Sequence, residues 1–228
     1  MFKNYDDYTL ALVLKAYLFH GKSHRSIQKE ILNIPAPARG GGFKVMEILH
    51  FFNIKGEHKS TYYNRVSESI FDERVEHLLK ELSEAEEMAE KDLENNINPK
   101  GLDTSKKRFI ATRVYQNKLR DKVFQNYNYR CAICEIDKLD LLVCSHIIPW
   151  SLDEDNRLNL ENSICLCTMH DKLFDKGYFC LEEDYKIKLS RRVDGNLSLF
   201  FQDKKFKRPL KFGPNPTFLK FHREEIFD

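Results

Sequence analysis

The chain has 228 residues, of which 42% are hydrophobic and 32% charged, with a formal net charge of +2. That length accommodates one large domain or two small ones with real cores, and the composition excludes a disordered chain. No apolar run approaches the roughly 18 residues of a membrane span, and MFKNYDDYTL lacks the order of a signal peptide, so a cytoplasmic protein with no membrane partner is expected.

Residues 7–20, DYTLALVLKAYLFH, place Leu10, Val13, Leu14, Tyr17 and Leu18 on one helical face, and Gly21 ends that helix. Ser23 is placed to cap a second helix through Leu32. NIPAPARGGG (33–42) is a breaker-rich loop, and a third helix from Phe43 to Phe52 should bury Val45, Met46, Leu49 and Phe52. Three short helices around a basic, glycine-rich connection read either as a packing or dimerisation module or as a helix-turn-helix that enters a DNA groove.

Residues 66–95 read as a long helix with a heptad-like seam of Phe71, Val75, Leu78, Leu82, Ala85 and Ala89, suited to intramolecular packing or to a homodimer contact. Eleven acidic against three basic residues give 68–95 a charge of −8. NNINPKGLDTS (95–105) looks like a linker, which suggests a helical domain at 1–65, an acidic connecting helix and linker at 66–104, and a further domain at 105–228. RFIATRVYQNKLRDKVFQN (108–126) reads as a basic amphipathic helix, and 105–130 carry a charge of +7, where a polyanion could be held. LDLLVCSHIIPW looks like a strand that turns at Pro149, and NSICLC like a second strand leading into a helix near Cys167. GYFCLEEDYKIKLSRR and NLSLFFQ alternate like strands, and PTFLKFHREEIF closes the chain as a helix.

Six cysteines in a reducing compartment favour metal ligation over disulfides. Cys131-x2-Cys134, thirty-two intervening residues and Cys167-x2-His170 form two matched halves of a tetrahedral structural zinc site. Cys165 competes as a ligand, although it shares a strand face with Cys167, and Cys144 and Cys180 read as small buried residues. Trp150, the only tryptophan, and His222 read as structural. His146, Asn162 and Asp171 remain for other chemistry.

The strand–loop–strand–helix order resembles the ββα-metal core of the HNH endonucleases, in the branch found in restriction-type enzymes. The resemblance rests on Ser145-His146-Ile147-Ile148-Pro149-Trp150, on Asn159 to Asn162, and on the run from Leu166 to Gly177, and it extends over about 105–228. It implies an α+β protein in which a helical N-terminal domain precedes a zinc-stapled HNH nuclease domain with a small β-rich C-terminal extension. It also implies that His146 is the general base, that Asn162 orients the base-bearing loop, and that Asp171 holds the catalytic ion. Asp171 stands where the family usually has His, and a carboxylate suits Mg2+ or Mn2+. Ser145 stands where many relatives carry an Asp ligand.

The implied reaction is hydrolysis of DNA phosphodiesters to 5′-phosphate ends, in restriction or phage defence, with no organic cofactor. Lys106, Lys107, Arg108, Arg113, Lys118 and Arg120, and the cluster at Lys204, Lys205, Lys207 and Arg208, are the expected phosphate contacts. Two alternatives stand beside this reading: a non-catalytic zinc-containing DNA-binding module, and a toxin-like nuclease acting on RNA.

Overall fold

A computed structural model describes residues 5–35, 41–52, 54, 73–95 and 109–228. The chain divides into two compact units, Met1–Met88 with Asp103–Val114, and Ala89–Leu102 with Tyr115–Asp228. The expected linker at 95–105 lies almost wholly outside the described residues, as do residues 36–40 of the expected loop at 33–42.

In the first unit, α1 (Asp7–Leu18), α2 (His24–Glu30) and α3 (Phe43–Phe51) pack on one another. Asp6 caps α1 by accepting from the Thr9 amide, and Ser23 caps α2 through the Ser26 amide. Leu10, Val13, Leu14, Ile27, Val45, Ile48 and Leu49 are buried. Met46 was expected in this core but is 37% exposed, because the α3 stripe runs through Val45, Ile48 and Leu49 and turns Met46 outward. The long helix α4 spans Glu73–Glu94. Its seam from Val75 through Ala89 is buried within the single chain and continues to Leu93, as the intramolecular alternative for that seam requires; Phe71 lies outside the described residues.

The second unit contains the end of α4, most of α5 (Phe109–Asn126), and the elements that carry the cysteines and histidines. Strand β1 (Leu142–His146) pairs antiparallel with β2 (Ser163–Cys167), with Leu142 opposite Cys167, Cys144 opposite Cys165 and His146 opposite Ser163. All five β2 residues are buried, so both faces of this strand are covered and it lacks the alternation of a half-exposed strand. α6 (Thr168–Asp175) follows directly and packs back on β1, β2 and the next strand, β3 (Phe179–Leu181). β3 pairs with β4 (Ile187–Leu189). NLSLFFQ is not a strand. Asp194 caps a short helix there, α7 (Gly195–Ser198), by accepting from the Leu197 amide, and turns carry the chain onward. α8 (Pro216–Glu225) closes the unit against β3. The result is a helix-rich α+β protein with two small sheets.

α8 locks onto the end of α6 through two contacts. Gly177 sits just past the α6 C-terminus at φ +66°, where its amide and that of Tyr178 satisfy the Phe174 and Leu173 carbonyls. A Cβ there would lie 2.1 Å from the Ile226 carbonyl oxygen. His222 stacks on Phe174, with ring centroids 3.7 Å apart and planes 6° apart, and its Nε2 lies 3.1 Å from the Phe174 carbonyl. Nε2 therefore carries the proton, and the buried Nδ1 has no partner among the described residues.

Gly177→Ala combines left-handed strain with a clash against backbone, and should lower the unfolding free energy by at least about 2 kcal/mol, measured by urea denaturation. Burial pushes the His222 pKa down to about 4. The unfolded chain binds this proton near pH 6.5 and the folded chain only near 4, so stability is full above about 6.5 and falls as pH drops towards 4. The loss across that window should reach about 3 kcal/mol, and a His222→Phe variant should lack this component of the slope in pH-dependent denaturation.

Candidate active site

The turn after α5 and the β2–α6 junction bring four expected ligands together. The ligand atoms of Cys131, Cys134, Cys167 and His170 all lie within 4.8 Å of one another. The Cys134 and Cys167 sulfurs are 3.8 Å apart, matching the tetrahedral edge of about 3.8 Å that metal–sulfur bonds of about 2.3 Å generate. His170 Nδ1 lies 3.7 Å from Cys131 Sγ and 3.1 Å from Cys167 Sγ, and Nε2 lies 3.3 Å from the Phe200 carbonyl. The Nε2 proton is thereby assigned to that carbonyl, and the Nδ1 lone pair faces the sulfurs. Phe179 and Phe201 pack edge-on against the ring and fix its plane. Three thiols and an aimed imidazole suit a soft or borderline divalent cation.

Cys165, the competing ligand, stands outside this cluster, and burial pushes its thiol up to about 12. Desolvation raises Cys144 to about 12 and Cys180 to about 11, so all three behave as unreactive small side chains.

His146 ends β1 on the sheet face shared with Cys144 and Cys165, at the opposite end from Cys167. Its Nε2 lies 2.8 Å from the Arg157 carbonyl, so the proton belongs on Nε2 and the Nδ1 lone pair is left for other work. Burial holds the imidazole below the ordinary histidine pKa; the Arg157 carbonyl and the Asp171 charge act against that shift and are smaller. Asn162 is buried and ties together the two ends of the intervening loop. Its Oδ1 accepts from the Ile148 amide at 2.8 Å, while Nδ2 donates to the Asn156 and Ile148 carbonyls. Asp171 lies half-buried in the first turn of α6, near enough for its charge to act on His146. Ser145 faces the interior, and its hydroxyl has no partner among the described residues.

Residues 131–182 match the family model described as HNH endonuclease. This segment is an HNH domain. Among solved structures the chain is similar to a modification dependent TagI restriction endonuclease, at 16% identity and a TM-score of 0.35 over 49% of this chain. The chain spans 38% of that protein's length. No curated protein matches.

The expected phosphate-binding cations do not all fall among the described residues of the second unit. Lys106, Lys107 and Arg108 lie outside the described residues, and Arg113 belongs to the first unit. Lys118 is ion-paired with Glu90 of α4, which also meets Lys122 at 3.4 Å. Arg120 is exposed and lies over the Phe124 ring. Lys207 Nζ donates to the Cys134 carbonyl and pairs with Glu135, both at 2.7 Å, and Arg208 lies over Tyr185. Sequence reasoning missed Arg157 altogether, because its backbone oxygen is what meets His146, and a backbone contact leaves no residue-type signal.

The four-ligand cluster should retain one tightly held divalent ion per chain after purification, measured by elemental analysis. Removing it with a chelator should lower the melting temperature of the HNH unit by at least about 10 °C, because ligand thiols without a metal repel or lie unpaired.

Proposed function

We propose that the protein is a metal-dependent endonuclease that hydrolyses DNA phosphodiester bonds, with His146 as general base, Asn162 as loop anchor and Asp171 as ligand of a catalytic Mg2+ or Mn2+. The observation that carries this is the state of His146: neutral, with its Nε2 proton committed to the Arg157 carbonyl, its Nδ1 lone pair open, and the Asp171 charge close enough to act on it.

A phosphodiester repels nucleophiles through its own charge, so hydrolysis needs an activated water and relief of charge at phosphorus. His146 Nδ1 would take the proton from water as the oxygen attacks, and burial, by lowering the ring's pKa, keeps it unprotonated and able to accept a proton at neutral pH. Asn162 keeps the loop from swinging the ring away. A hard cation on Asp171, when bound, supplies charge neutralisation at the phosphate and the departing 3′ oxygen, and Mg2+ tolerates so few protein ligands because it keeps its waters. Ser145 adds no carboxylate, so Asp171 carries the protein's share.

The Cys131, Cys134, Cys167 and His170 cluster would hold zinc as scaffold, since four protein ligands leave no open position for chemistry. One core cuts one strand, so double-strand scission needs two copies or successive nicks. The wider role we assign is restriction of foreign DNA.

The full chain should nick supercoiled plasmid with Mg2+ or Mn2+ and leave 5′-phosphates. His146→Ala should slow nicking by about 10²- to 10⁴-fold, and Asp171→Ala should lower the rate and raise the Mg2+ or Mn2+ concentration needed for half-maximal nicking. As pH is lowered, the wild-type rate should fall only below the ordinary histidine value of about 6.5, because the base is lost when it takes up a proton. Binding without nicking in either metal would instead support a DNA-binding module, and cleavage confined to RNA a toxin-like nuclease.

A further inference from the structure

The Arg157 carbonyl decides which nitrogen of His146 is free, yet residue 157 lies in a turn, outside any strand or helix. What holds it is its own side chain. Arg157 Nε donates to the Trp150 carbonyl at 2.7 Å, and its guanidinium lies 5.2 Å from the Trp150 ring centroid. A terminal nitrogen meets Glu154 at 3.2 Å. The Trp150 ring stands edge-on to His146, with centroids 5.3 Å apart and planes at 90°. The contacts close a circuit from the imidazole to the 157 backbone, out along the arginine, onto the tryptophan and back to the imidazole.

This arginine differs from the cations expected to meet phosphate. Its side chain is only 12% exposed, and its charge is spent on a carbonyl, an indole face and a carboxylate. Lysine has neither the Nε donor nor the planar face that this circuit uses.

We propose that Arg157, seated on Trp150, is a positioning residue of the HNH site: its side chain fixes the 157 carbonyl, and through it the tautomer and orientation of His146. The kinetic consequence rests on the nuclease reading above; the tautomer consequence does not.

The test uses the full metal-loaded chain with 15N-labelled histidine. The His146 ring signals are identified by their loss in His146→Gln. Wild type should show a single Nε2–H tautomer in long-range 1H–15N spectra, and Arg157→Met a mixture. Trp150→Ala should also give a mixture, which Trp150→Phe, with its aromatic face kept, should return towards one tautomer. In plasmid nicking, Arg157→Met should lower kcat by about 100-fold with KM within about threefold, the signature of a misplaced base. Retention of the single tautomer in Arg157→Met overturns the proposal, as does a loss confined to KM, which would make Arg157 a DNA contact. If Arg157→Met fails to fold, Arg157→Lys decides by the same spectra, with a mixture expected. If the wild type nicks nothing, the nuclease reading falls while the spectra still decide the positioning role.

Discussion

The register of β1 on β2 governs where every chemical group in the HNH unit lies. Directly opposite residues share a sheet face, so the pairing puts His146, Cys144, Cys165, Ser163 and Cys167 on one side. A slip of one residue would send His146 to the opposite face from Cys167 and α6. Two devices outside the strands prevent that slip. At one end, Cys131 and Cys134 reach across to Cys167 and His170, and the Ala132 amide donates to the Cys165 carbonyl at 2.8 Å. At the other, the Ile147 amide donates to the Asn162 carbonyl while the Asn162 side chain holds Ile148. A pair of five-residue strands too short to be stable alone is thus fastened at both ends, and His146 sits beside the second fastening.

Charge is arranged with similar economy. Acidic α4 lends its last turns to the second unit, where Glu90 and Glu94 meet Lys118 and Lys122 of basic α5. The +7 stretch visible in the sequence is therefore partly neutralised within the fold, and the cations left for a polyanion are fewer than a count suggests. Such exposed pairs add little to stability; what they change is the field a nucleic acid would meet.

The legible parts of this fold were those encoded by short-range spacing. C-x2-C and C-x2-H are local geometries, and both halves joined in one cluster. Ser23 as a cap and the seam from Val75 to Ala89 were readable for the same reason. What escaped was set by backbone or by distant neighbours. NLSLFFQ alternates like a strand, but the carboxylate of Asp194, just before it, nucleates a helical turn instead. Met46 fits an apolar stripe, yet nothing in its own segment says which flank of the stripe meets α1 and α2. Arg157 looks like one more surface cation until the partners of its carbonyl and guanidinium are known.

The contacts around Gly177 and Phe174 have a consequence for synthesis. The matched HNH segment stops at residue 182, but the end of α6 is covered by His222, Ile226 and Phe227. Asn126 at the end of α5 likewise exchanges three hydrogen bonds with Leu210, Lys211 and Phe212. A nascent chain emerging from the ribosome cannot stack His222 on Phe174 or cover the end of α6 until the segment through Phe227 has cleared the exit tunnel. Closing the end of α6 during synthesis thus waits on a contact 48 residues further along the chain, a non-local pairing of the kind that forms slowly.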